Sequence, residues 1–189
     1  SHFLRMPEEF LSQALHIFFF NLFLFKKKTT EVCKIVPVKK YQEGEGHMDL
    51  KGNMEELREK KGFICDMDGV IYHGNLLLPG VEEFVDWLYR EKKSFLFLTN
   101  SSERSPRELQ QKLARMGLEV KEDHFYTSAL ATARFLKSQA PGCSAYVIGA
   151  PGLVGALYDV GITMNDVNPD YVVVGETMNY YYDSIVKAV

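Results

Sequence analysis

An α/β fold with a largely parallel sheet is predicted from residue 60 onward, and three observations predict it. Short apolar runs alternate with amphipathic stretches of helical period. Capping residues stand where those helices would start, and glycines where they would stop. The polar residues with useful chemistry cluster directly after apolar runs, and in open parallel α/β sheets ligands bind at the carboxyl ends of strands.

Taken in order, Gly62 to Cys65 is the first buried-strand candidate. Pro79 and Gly80 open a helix whose apolar face is Phe84, Val85 and Leu88. Ser94 to Leu98 (SFLFL) reads as a second strand, ending at Thr99-Asn100-Ser101-Ser102. In the next helix Ser105 caps, Pro106 fits the first turn and Glu108 completes a capping box. Leu109, Leu113 and Met116 form its stripe, and Gly117 closes it. After Tyr126, Thr127-Ser128 caps a helix running through Leu136. Ala145 to Ile148 is a third strand, followed by a helix from Gly152 to Tyr158 that ends before Gly161. Tyr171 to Val174 is a fourth strand, and Val189 falls inside a further helix.

Residues 1–55 do not share this pattern and are expected to form little structure. Leu15 to Phe25 (LHIFFFNLFLF) precedes Lys26-Lys27-Lys28. The run is too short for a membrane span, which needs roughly 20 apolar residues. Its lysines follow the apolar stretch, the reverse of a secretory signal. Attachment to a membrane surface through Leu15 to Lys28 is the membrane role left open. An extension foreign to the native product, with Met48 or Met54 as its start, fits the same residues.

The 189 residues allow one domain, or one domain and part of another. A net charge of -3 gives no electrostatic footprint for nucleic acid. Cys33, Cys65 and Cys143 are scattered and form no C-x-x-C pair. That usage points to a reducing, cytoplasmic setting, and away from a disulfide framework or a zinc site.

The candidate chemistry lies at two strand ends. Asp66 and Asp68 follow the first strand, and residues two apart in an extended chain point to the same side. Two acids so placed repel each other unless a cation lies between them, and a divalent cation suits. A calcium loop of the EF-hand kind is excluded, because Val70, Ile71 and Leu77 occupy positions where a ligand, a glycine and a glutamate are needed. Alone, Asp-x-Asp-Gly equally suits a surface turn. Thr99, Asn100 and Ser101 follow the second strand; alone they suit a turn or helix cap better than a site. If the two strands are neighbours, carboxylates, a hydroxyl and an amide meet in one pocket, able to hold Mg²⁺ and a phosphoryl group. Gly149 to Gly155 fails the dinucleotide fingerprint, with Pro151 and Val154 where glycines are required. Tyr180, Tyr181 and Tyr182 read as surface packing, His73 as a loop residue, and Cys65 as core.

Together the two clusters resemble the haloacid dehalogenase superfamily of phosphohydrolases. DMDGVIYHGNLLLPG, LTNSSERSP, FYTSALATA and NPDYVVVGET are similar to its NagD-like branch, whose cap domain is inserted after the second motif. The resemblance covers residues 60–189. It implies a Rossmann-like parallel-sheet core and an α/β cap of the C2 type, both incomplete. Residues 60–126 would be the first part of the core, and 127–189 part of the cap. Residues 1–55 stand outside it.

By that resemblance Asp66 is the nucleophile and an Mg²⁺ ligand. Asp68 is the general acid and base, with its carbonyl also on the metal. Thr99 binds the phosphoryl group with Asn100 and Ser101 beside it, and Gly69 permits the turn around the phosphate. The implied function is Mg²⁺-dependent hydrolysis of small phosphomonoesters, nucleoside monophosphates or sugar phosphates, through an aspartyl-phosphate. Gly175-Glu176-Thr177 resembles the nucleotidase side of the family. Caps of this kind often pair, so self-association through the cap is expected of it. The family's downstream lysine and later acidic pair lie beyond the cap, and Lys187 is too early to serve. The alternative is therefore a catalytically incomplete fragment, acting at most as a phosphate-binding or interaction module.

Overall fold

The computed structural model describes residues 57–189, Glu55 and the backbone of Phe23–Lys26. In chain order its strands and α-helices are β1 (Phe23–Lys26), β2 (Gly62–Asp66), β3 (Tyr72–His73), β4 (Leu76–Leu77), α1 (Val81–Arg90), β5 (Ser94–Thr99), α2 (Pro106–Arg115), β6 (Phe125–Thr127), α3 (Ser128–Gln139), β7 (Ser144–Ile148), α4 (Pro151–Asp159), β8 (Thr163–Met164), β9 (Tyr171–Val174) and α5 (Tyr182–Ala188). The α/β expectation holds, with largely parallel pairing in the two main sheets.

The first sheet is β2-β5-β6, parallel throughout. Its central strand β5 is apolar on both faces, as a strand covered on both sides must be. Phe95 and Phe97 pack with Val85 and Leu88 of α1 and Leu109 and Leu113 of α2. Leu96 and Leu98 pack on the other side with Tyr126 and Ala131. The second sheet has the order β1-β9-β7-β8, with β7 parallel to both β8 and β9. Leu136, Leu153, Leu157 and Val173 fill the core between it and its helices.

The two sheets are joined without a linker. Thr127 is the last residue of β6, and its side chain accepts the Leu130 N–H to cap α3. Sequence reading took Phe125–Thr127 only as the approach to that cap. It is a third core strand, three residues long and fully buried, too short to show a period. The hairpin of β3 and β4 is likewise too short to announce itself.

The expectation that residues 1–55 carry little structure is corrected at one place. β1 pairs antiparallel with β9, from Phe23 opposite Val174 to Lys26 opposite Tyr171. An edge strand such as β9 offers a row of unpaired backbone groups, and an extended apolar run is suited to fill it. Most of the proposed membrane-attachment segment lies outside the described residues. Among the described residues no helix is long and apolar enough to cross a membrane.

Helix α2 shows its local code most plainly. Ser105 Oγ accepts the Glu108 N–H, and the Glu108 carboxylate accepts the Ser105 N–H at 2.7 Å. At the other end Gly117 takes φ +92°, and the Leu118 N–H reaches back to the Leu113 carbonyl at 3.0 Å. These bonds from Ser105, backbone first and hydroxyl second, hold the Glu108 carboxyl below its ordinary value. A carboxyl depressed by folding stabilises above its unfolded pKa and loses that contribution as pH falls through its folded pKa. Ser105→Ala should therefore cost about 1 kcal/mol at neutral pH. Thermal melts at descending pH should show the deficit shrinking below the ordinary carboxylate range; a constant deficit would remove the charged half of the box.

Candidate active site

The parallel pairing of β2 and β5 brings both polar clusters to one end of the sheet. Asp66 stands opposite Leu98 in register, and Thr99 is the next residue. The chain then turns sharply. The Met67 carbonyl accepts N–H groups from Val70, Ile71 and Tyr72, while Met67 and Ile71 are buried. Asp66 and Asp68, on either side of Met67, are exposed. Gly69 has φ +77° and donates its N–H to the Tyr72 carbonyl at 2.8 Å. A Cβ there would meet nothing, so the glycine is required by backbone conformation and not by space. Asp66 Oδ1 also accepts the Met67 N–H at 2.8 Å, which fixes one of its oxygens.

The second cluster is a ladder of local side-chain-to-backbone bonds. Thr99 Oγ1 accepts the Ser101 N–H at 3.2 Å, and Ser101 Oγ accepts the Glu103 N–H at 3.2 Å. Thr99 is buried and Asn100 exposed. The turn chemistry expected of these residues taken alone is thus present. It leaves the Thr99 hydroxyl proton free of that bond, since the hydroxyl is only the acceptor in it.

Three residues that sequence reading passed over complete the surroundings. Tyr72 is 2% exposed, and its phenol is pushed up to about 12, first by burial and then by the charge of Asp68, against the pull of Arg104. Asp66 also raises it, so all three charges reach this one ring. Lys112 Nζ lies 3.7 Å from the Tyr72 ring centroid, an attractive cation–π arrangement. Burial lowers the Lys112 pKa, and the charge of Asp68 opposes that shift. The available sequence signal was a lysine set within the apolar stripe of α2, between Leu109 and Leu113. The Cys65 thiol is pushed up by burial, which makes it a poor nucleophile. His73 and the three tyrosines from 180 to 182 are exposed, and the Tyr180 hydroxyl donates to the Gly175 carbonyl at 2.9 Å.

A cavity of about 600 Å³ opens between the two halves of the fold, and Asp66, Asp68 and Thr99 are not among the residues that line it. Arg104 and Glu108 line it from the first, and Gly149, Pro151, Thr177 and Asn179 from the second. Among the described residues no group of three or more His, Cys, Asp or Glu is placed to hold a metal. Two carboxylates and a backbone carbonyl nevertheless suit Mg²⁺, which keeps several waters and takes one or two carboxylates from the protein.

Residues 63–163 match the family model described as haloacid dehalogenase-like hydrolase. The ribonucleotide monophosphatase NagD of Escherichia coli K12 is 43% identical over 128 residues, 68% of this chain and 51% of that protein. The dihydroxyacetone phosphatase of Corynebacterium glutamicum is 40% identical over 127 residues, 67% of this chain and 46% of that protein. The crystal structure of a 4-nitrophenylphosphatase from Thermotoga maritima superposes with a TM-score of 0.67 at 34% identity, covering 70% of this chain and 51% of that one. The chain spans about half the length of the curated relatives it matches.

Proposed function

The chain belongs to the haloacid dehalogenase-like hydrolases, and from that premise we propose that it carries the attacking half of a phosphatase site for small phosphomonoesters. The observation that supports this most is the juxtaposition of Asp66 and Thr99 at the ends of adjacent parallel strands. Residues 60–126 form the first part of the core, and 127–189 part of an inserted cap. The cavity between them is of the size that small ligands occupy, and Glu103 and Arg104, in the loop that follows Thr99 and Asn100, line its core side. Nucleoside monophosphates and sugar phosphates are the substrate class, in keeping with the relatives' names.

In this reading an Asp66 carboxylate oxygen attacks phosphorus, and the bond from phosphorus to the leaving oxygen breaks. Asp68 delivers its proton to that oxygen, which departs as an alcohol. Water then attacks the aspartyl-phosphate while the Asp68 carboxylate takes its proton, releasing inorganic phosphate and restoring Asp66. Thr99 donates its hydroxyl proton to a phosphoryl oxygen, with Asn100 and Ser101 beside it. Asp66 and the Asp68 carbonyl would hold Mg²⁺, whose charge lets an anionic nucleophile approach an anionic phosphate. A reducing, cytoplasmic setting suits the free thiols of Cys65 and Cys143. The exposed apolar residues Met178, Tyr182, Ile185 and Val186 provide a surface for self-association through the cap.

A second reading is a phosphate-binding module without turnover. It is supported by the chain's covering about half the length of the phosphatases it resembles. One assay separates the two. The purified chain should hydrolyse p-nitrophenyl phosphate with Mg²⁺, lose that activity on chelation, and regain it when Mg²⁺ is restored. Phosphate binding without turnover would favour the module instead.

A further inference from the structure

Ser102 takes no part in the proposed chemistry, yet it is 2% exposed and bonded across the fold. Its Oγ accepts the N–H of Glu176 at 2.9 Å, a residue 74 positions later. The adjacent Glu103 carbonyl accepts the N–H of Gly152, in the first turn of α4, at 3.2 Å. Both contacts depend on missing side chains. A Cβ on Gly152 would stand 2.6 Å from the Glu103 carbonyl oxygen. A Cβ on Gly175 would stand 2.8 Å from Ser102 Oγ and would collide with Leu153 Cδ2. The receiving side is itself tied together: the Ala150 N–H reaches the Glu176 carbonyl at 3.0 Å, and the Gly175 N–H the Ile148 carbonyl at 2.8 Å.

The loop's other end is the ladder from Thr99 through Ser101 to Glu103. Hydrogen bonds and the short stretch of backbone between Ser101 and Glu103 thus lead from the Thr99 hydroxyl to the ends of β7 and β9. We propose that Ser102 is a positioning residue that fastens the loop carrying Thr99 and Asn100 to the second sheet, so that the phosphoryl-binding hydroxyl and the proposed cap move as one body. Its functional meaning rests on the reading of Thr99 as a phosphoryl-binding residue. The mechanical coupling stands on the bonds alone.

The test is residue-resolved amide exchange on the whole chain, with and without Ser102→Ala. Exchange should quicken roughly tenfold at Glu176 and Gly152 and, with them, at Ser101 and Glu103, the change expected from losing about one hydrogen bond. Amides of α1 serve as the control for general loosening. Faster exchange at Glu176 with Ser101 and Glu103 unchanged would overturn the coupling. Gly175→Ala presses on Ser102 from the other side and should disturb Ser101 in the same way; an undisturbed Ser101 would also overturn it. Inorganic phosphate, titrated in the presence of Mg²⁺, is the functional probe. Ser102→Ala should weaken its binding roughly tenfold, and equal binding by both chains would defeat the positioning role. Coupled exchange in a parent chain that binds no phosphate would overturn the role given to Thr99 while upholding the clamp.

Discussion

Asp66→Asn should remove turnover of a phosphomonoester by roughly 10⁴-fold to 10⁶-fold, the range lost when a catalytic nucleophile is taken away. The substitution keeps the side chain's shape and the oxygen that accepts the Met67 N–H. It also relieves repulsion between two nearby acids, so the melting temperature should stay the same or rise. Activity lost with stability kept is the signature of a nucleophile. Activity undiminished, measured on the protein that hydrolyses p-nitrophenyl phosphate, would end the assignment. Asp68→Asn should cost less, roughly 10²-fold to 10⁴-fold, as expected for a general acid and base.

Phe97→Ala should do the opposite: it should lower stability by about 3–5 kcal/mol while leaving every proposed site residue in place. Phe97 is fully buried in the central strand of the first sheet, opposite Cys65 on one side and Phe125 on the other. Its ring lies 5.5 Å from Phe95 and 5.8 Å from Phe125, so truncation opens a cavity that neighbours on three strands cannot all close. A domain holds only about 5–15 kcal/mol in total. The midpoint of thermal unfolding should fall by roughly 10 °C. A fall of only a degree or two would mean that this sheet is not the folding core.

The parts of the fold legible in the sequence were those with strong local codes. Ser105, Pro106, Glu108 and Gly117 mark both ends of α2, and each makes the contact its residue type favours. The SFLFL run reads as an apolar strand, and it is the central strand of its sheet. β3, β4, β6 and β8 were not legible, because pairs and triplets of residues hold no period and are fixed by their partners. β1 was missed because its pairing depends on β9, far along the chain. At the site, the acids and the Thr-Asn pair showed through their positions after apolar runs. Tyr72, Arg104, Lys112 and Ser102 did not, since their significance comes from elements that meet only in three dimensions.

The double duty of Thr127 has a consequence for how the protein comes apart. Phe125, Tyr126, Thr127, Ser128 and Ala129 are all buried, so the junction of β6 with α3 presents no extended, accessible stretch to a protease. The two halves therefore share one cooperative melting transition, where a flexible connection would allow two. Limited proteolysis should not release either half intact. Any splitting of this polypeptide into separately expressed parts would have to cut through a strand end and a helix cap at once.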